Sequence, residues 1–365
     1  MAMPLLQSCG GGTATSSADK EGEVVEHARL LSIRDLDGYS VVTITNPWDS
    51  LGEKKVYWLV DRDAKDTPAL PAGATKITVP VNSSAVFSSV HVSLLDELGS
   101  LDAVKGVCDK EYILDPKAKE RIAKGEIADC GAAASPNIEK LIKLRPEMVL
   151  LYGFESGHAP QQIARTGVPV IEAMEYMEAT PLAESEWIRL YGRLVGKGAK
   201  ADSLYAETSR RYLELREKGR NAEKKPRVIF DRIYGQGWNV PTSGSITGHL
   251  IADAGGENVF NEYSDHGSTQ LAPEEVLLKG GNADIWMIRY FQPDALTLAD
   301  IAKENPIYRQ FKPFLTGNVY GANTMTGTVF EDATFHPDMI LADYISVFHP
   351  ELGVTPPKRY FEKLK

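Results

Sequence analysis

From Pro181 to about Gly219 the chain carries apolar residues at helical spacing twice over. Trp187, Tyr191, Leu194 and Val195 share one face before a Gly-Lys-Gly interruption at 196–198. Ala201, Leu204, Tyr205, Thr208, Tyr212 and Leu215 share one face after it, with Lys, Arg and Glu on the others. If the interruption is only a kink, a helix of roughly 35 residues would reach about 50 Å at 1.5 Å per residue. One α/β layer needs less. Strand-like runs alternate with helix-like ones on both sides of this stretch. The pattern therefore predicts two lobes joined by one long, stiff helix; the competing reading is a surface helix inside a single domain.

Residues 24–62 alternate as half-buried strands do, with Asp37-Gly38 supplying turn chemistry, and predict a β-meander. From Lys76 the pattern changes. KITVPVNS reads as a strand, AVFSSVHVSLLDELGSL as a helix and AVKGVC as a second strand. SPNIEKLIKLRP follows as a helix, with Ser135 at the cap and Pro136 in the first turn. EMVLLYG and VPVIEA are buried strands around the helix QQIARTG. After the long helix the alternation resumes: PRVIFDRIYG, ADIWMIRY and NVYGANT as strands, ITGHLIADAGG, PEEVLLKGG and HPDMILADYISVFHPEL as helices. Such alternation means an α/β fold of two Rossmann-like lobes, each with a parallel sheet flanked by helices. The divisions are a tether at 1–23, an N-terminal lobe at 24–180, a linker helix at 181–225 and a C-terminal lobe at 226–365. Ligands of such sheets sit beyond the carboxyl ends of the strands. Two sets of strand-end loops facing each other make a cleft between the lobes.

Charge and composition narrow the function classes. A net charge of −10 argues against nucleic acid, and no apolar run is long enough to span a bilayer. Leu6-Gln7-Ser8-Cys9 ahead of a Gly/Ser/Thr-rich segment resembles the lipobox of bacterial lipoproteins, which implies acylation at Cys9 and attachment to a membrane by lipid alone. Two cysteines remain, Cys108 and Cys130; a disulfide and a pair of buried thiols are both open.

Several segments, in order, resemble periplasmic substrate-binding proteins of the ABC importers for iron complexes, haem and cobalamin. They are DELGSLDAVKGVCDKEY, SPNIEKLIKLRPEMVLLYG, TGVPVIEA, IADAGGENVF, LAPEEVLLKGGNADIWMI, FKPFLTGNVY and ILADYISVFHPEL, within roughly residues 75–353. EYMEATPLAESEW is close to a segment of Bacteroidetes-type iron-complex binders. The resemblance implies a monomeric periplasmic carrier without a cofactor, partnered by a permease and its ATPase. It also implies that one Glu on each lobe meets permease arginines: Glu139 on the first, and on the second Glu274, with Glu275 as the alternative. Judged without the family, each is an ordinary helix-start carboxylate.

Catalytic motifs are missing: the chain has no Gly-rich phosphate loop, Gly-x-Ser-x-Gly or His-Glu-x-x-His. Its histidines are scattered, with His158, His266 and His336 on strand-end loops, so no metal site is expected. The aromatic residues say more. Tyr112, Tyr152, Phe154, Tyr176, Tyr234, Trp238, Tyr290, Phe291 and Phe335 lie on or beside cleft loops, as does Ser83 in the Asn82–Ser84 loop. Flat walls suit a porphyrin, a corrin or a chelate, although strand-end aromatics also pack into cores. Arg289 is the expected cleft cation, and Tyr152, Tyr176, His158 or His266 would be haem ligands. The expectation is a carrier of a ferric siderophore or haem, with a cobalamin carrier as the alternative. An enzyme of the tetrapyrrole chelatase type would need a buried acid–base pair in the cleft.

Overall fold

The computed structural model describes residues 23–48, 54–65, 69–154 and 158–365. Period-two burial along β1 (Leu31–Leu36), β2 (Tyr39–Thr45) and β3 (Lys54–Asp61) produces the expected antiparallel meander. Gly38, at φ +76°, supplies the left-handed residue of its first turn. The strand read from KITV belongs to this sheet too: β4 (Thr75–Val79) pairs parallel to β3. It is not the first strand of the lobe sheet. That strand is β5 (Ser84–Val86), inside the stretch predicted as helix, and α1 (Ser89–Glu97) follows it.

The lobe continues through β6 (Val104–Val107), α2 (Pro116–Ala123) and β7 (Ala128–Asp129). Asp115 caps α2 by accepting from the Ala118 N–H, with Pro116 in the first turn. A two-residue ladder, β8 (Gly131–Ala132) with β9 (Ser135–Pro136), precedes α3 (Ile138–Leu144). Asn137, not Ser135, is its cap. Then come β10 (Met148–Tyr152), α4 (Ala159–Ala164) and β11 (Val170–Ala173). The parallel sheet has the order β11-β10-β5-β6-β7. Cys108 and Cys130 follow adjacent strands β6 and β7 as free, buried thiols.

The predicted 35-residue rod is broken. The chain forms α5 (Pro181–Ser185), α6 (Ile188–Leu194) and α7 (Gly198–Arg220). Gly196 turns at φ +67°, and a Cβ added at Gly192 would overlap that of Ala201. Thus α6 packs on α7 instead of continuing it. The 23 residues of α7 span about 35 Å. Its first half packs Ala201 and Tyr205 into the N-lobe core, and its second half packs Tyr212 into the C-lobe core. One stiff helix therefore belongs to both lobes.

The C-lobe begins with β12 (Arg227–Phe230), β13 (Ile233–Tyr234), β14 (Gly237–Pro241), α8 (Ile246–Asp253), β15 (Glu257–Asn258), β16 (Ser268–Leu271) and α9 (Pro273–Gly280). It continues with β17 (Ile285–Tyr290), α10 (Leu298–Glu304), α11 (Lys312–Thr316), β18 (Val319–Asn323), α12 (Val329–Phe335), α13 (Pro337–Phe348) and β19 (Glu362–Lys363). Its sheet has the order β15-β12-β17-β18-β19, parallel except for β19, and β13-β14-β16 forms an antiparallel flap.

A further seam ties the lobes together. Helix α12 ends in Phe335, which lies in the N-lobe core 5.6 Å from the Tyr191 ring, while the next residue, His336, bonds Glu97 at 2.8 Å. The segment before β1 is held by two buried carboxylates of the linker region. Glu186 accepts the N–H groups of Glu26, His27 and Ala28 at 2.9, 2.6 and 2.9 Å. Glu178 accepts those of Arg29 and Leu30 and the Trp187 indole.

Candidate ligand-binding cleft

The parallel strands of both lobes end at the same gap, and three adjoining cavities fill it. The first, about 680 Å³, lies between Glu111, Tyr112 and Leu114 of the N-lobe and Phe291, Met325 and Phe330 of the C-lobe. Phe291, Thr324 and Phe330 also line the second, about 660 Å³, which reaches Tyr234 and Arg289. Asp231, Asn239 and Arg289 lead on to the third, about 330 Å³, bounded by Tyr176 and His266. The site is long, open and walled by aromatics from both lobes. Tyr112 is 53% exposed, Phe154 61%, Tyr234 82% and Phe291 57%. Large apolar groups left this wet at the mouth of a cleft mark a binding surface.

Among the described residues, Tyr112 meets Phe291 and Tyr176 meets His266 across the gap. The Tyr112 and Phe291 rings meet edge to face at 6.0 Å. His266 Nε2 lies 3.3 Å from the Tyr176 carbonyl oxygen, close enough to donate to it. Tyr176 is itself fixed: its hydroxyl donates to the Gly153 carbonyl at 2.5 Å, and its ring packs on Tyr152 and Phe154. Burial, with help from the nearby Glu175 carboxylate, pushes its phenol up to about 12. Tyr176 is thus a neutral donor whose hydroxyl is already engaged.

Several sequence-predicted residues lie elsewhere. Ser83 precedes β5, and its carbonyl accepts from the Glu147 N–H just before β10, so it sits at the amino ends of the strands. The carboxyl-end loop is the next one, where Ser89 reaches the first cavity. Trp238 is fully buried against Trp286, Tyr308 and Phe311, and its indole donates to the Phe230 carbonyl. The pleat of β14 turns its neighbour Asn239 to the cleft instead. Phe335 belongs to the seam between the lobes. Tyr290 is mostly buried in the C-lobe core and only borders the second cavity. Tyr152 lies behind Tyr176, against the His91 ring. Sequence reasoning missed Asp231, Asn239 and Phe330. Asp231 could have been suspected from a lone acid closing the apolar run RVIF.

Arg289 is in the cleft but engaged. Its Nε donates to Asp231 Oδ1 at 3.1 Å and its Nη2 to Oδ2, while the guanidinium lies 5.0 Å from the Phe230 ring centroid. Arg232 is paired through Nη1 with Glu304. Among the described residues no three His, Cys, Asp or Glu side chains converge on a metal position. Of the carboxylates expected to meet a permease, Glu139 and Glu274 are exposed near the starts of α3 and α9. Glu275 is occupied by Lys279 and the Tyr263 hydroxyl. Cys9 lies outside the described residues.

Two α/β lobes, a shared helix and a ligand-sized cleft between strand ends define a solute-binding protein. The chain belongs to the periplasmic binding protein family, whose sequence pattern matches residues 85–324. It is a family of binding proteins, not of enzymes. An uncharacterized lipoprotein of Methanocaldococcus jannaschii is 28% identical over 339 residues, covering 90% of this chain and 83% of that one. A periplasmic heme-binding protein from Pseudomonas aeruginosa matches with a TM-score of 0.59 at 15% identity, over 78% of this chain and 98% of that one. The ABC-type Fe3+-hydroxamate transport system structure from Saccharomonospora viridis gives 0.58 at 18% identity, over 74% and 94%. At these identities the structural likeness speaks for the fold alone. Among the described residues no helix is long and apolar enough to cross a membrane.

Proposed function

We infer that this protein captures a metal complex, a ferric siderophore or haem, in the cleft and hands it to the permease of an ABC importer. The observation that carries this reading is the exposed aromatic wall contributed by both lobes: Tyr112 on one side, Tyr234, Phe291 and Phe330 on the other. Such a wall suits a ligand with broad apolar faces, and cavities of this size suit a chelate. Exposed, unpaired Glu139 and Glu274 on opposite lobes suit docking onto arginines, and acylation at Cys9 would hold the carrier at the membrane. Helix α7 and the Phe335 seam support a small hinge movement on binding.

A corrin complex is the second reading. The paired charges of Arg289 and Arg232 favour it, because neither guanidinium is free for a propionate. The test is titration of the purified protein with haemin, cyanocobalamin and ferric siderophores, read by absorbance and tryptophan quenching. Saturation at one equivalent by a ferric siderophore or haemin is expected. Tight quenching by cyanocobalamin alone would transfer the assignment to corrinoids, and silence across the panel would refute the ligand class.

A further inference from the structure

Asp231 has a backbone conformation that calls for an explanation. Its φ is +57°, in the left-handed region that most side chains avoid and that Asp and Asn enter more readily because their short polar side chains bond locally. It is held there from every side. Its N–H donates to the Met287 carbonyl at 2.7 Å, and its carbonyl accepts from the Trp286 indole at 2.7 Å. Its carboxylate accepts the Arg289 N–H at 3.2 Å as well as the guanidinium. That turn aims the carboxylate at Arg289 on the wall shared by the second and third cavities. Both partners remain partly open to the cleft, at 23% and 31% of their side-chain surface. The pair is therefore something a ligand meets.

The charges along the cleft follow one pattern. Arg289 is cancelled by Asp231, and Arg232 by Glu304. In the first cavity Lys119 stands with Glu111 and Glu331. Three cations thus face four carboxylates, and burial raises the pKa of one of these, Glu331. A ligand with several free negative charges would leave water for a site with no surplus positive charge, and would meet carboxylates already in place.

We propose that Asp231 sets the charge selectivity of the cleft: by cancelling Arg289 it fits the site to metal complexes without net negative charge and rejects polyanionic ones. This rests on the reading of the cleft as the ligand site. Asn also tolerates the left-handed conformation, so Asp231→Asn removes the charge while keeping the turn.

The experiment compares two ferric complexes of similar size, a neutral tris-hydroxamate and a trianionic tris-catecholate, by titration at low and high salt. Wild type is expected to bind the neutral complex at least about tenfold more tightly, with little salt dependence. D231N should raise affinity for the trianionic complex by about tenfold, and the gain should fade at high salt. The double variant D231N/R289Q, again without surplus charge, should return the affinity ratio to the wild-type side, which separates charge from misfolding. A wild-type preference for the trianionic complex, or a ratio unmoved in D231N, overturns the role of Asp231 and leaves the cleft assignment standing. If neither complex binds wild type or D231N, both the role of Asp231 and the cleft assignment are overturned.

Discussion

Glu186 offers a sharp test of how the N-terminal segment is held. Its side chain is fully buried and its two oxygens receive three consecutive backbone N–H groups, from Glu26, His27 and Ala28. The Arg189 guanidinium lies 3.6 Å from the same carboxylate. Glu186→Ala would leave three donors without partners. An orphaned buried donor costs about 1–3 kcal/mol, and partial rehydration of the two half-buried ones lowers the sum to about 3–5 kcal/mol. Glu186→Gln should cost roughly half of that, because one oxygen still accepts while the new NH2 faces a donor. Urea unfolding measures the totals, and amide hydrogen exchange at residues 26–28 localises them. Protection should vanish there in E186A and persist in the lobe strands. If E186A unfolds within about 1 kcal/mol of wild type, the carboxylate is not the staple its geometry describes.

Three further outcomes are expected. Burial raises Asp343 from 3.8 to about 6, although Tyr360 and Phe361 N–H groups donate to it. The folded state then binds the extra proton, so this stabilisation is present below about pH 4 and is lost as pH rises through 6. Wild-type stability relative to D343N should fall by on the order of 3 kcal/mol between pH 4 and 7, and a flat difference in pH-resolved unfolding would refute this. Gly219 in α7 packs so closely on α8 that an added Cβ would lie 2.6 Å from the Asp253 carbonyl oxygen. Gly219→Ala should therefore destabilise by about 1–3 kcal/mol despite its better helix propensity, with a stabilised variant as the contrary result. Charge reversal at Glu139 and Glu274 together should abolish uptake in cells while leaving ligand titration unchanged; preserved uptake would remove the docking assignment.

The lobe sheets are legible because their strands are short, mostly apolar runs punctuated by caps and glycines, as in MVLLY of β10 and IWMIRY of β17. The assignment of KITV failed for a physical reason. Apolar residues flank Pro80, and nothing local tells the chain that Val79 and Ser84 serve different sheets. Trp238 was misplaced because a loop rich in Gly and aromatics looks like a cleft rim, whereas its alternation with Asn239 points it inward. Phe335 was placed near the ligand because α12 was read as loop; its real partner, Tyr191, is 144 positions away. The Asp231–Arg289 pair, 58 residues apart, needs the parallel pairing of β12 with β17 before it exists at all.

The position of Phe335 also bears on how the chain is made. Synthesis delivers the N-lobe first, and lobes of this kind ordinarily fold as they emerge. Here Tyr191 of that lobe's core waits for a side chain that is added 144 positions later. Until then the first lobe has a gap where α12 will lie. The two halves finish together, and a late truncation would unsettle the half made earliest.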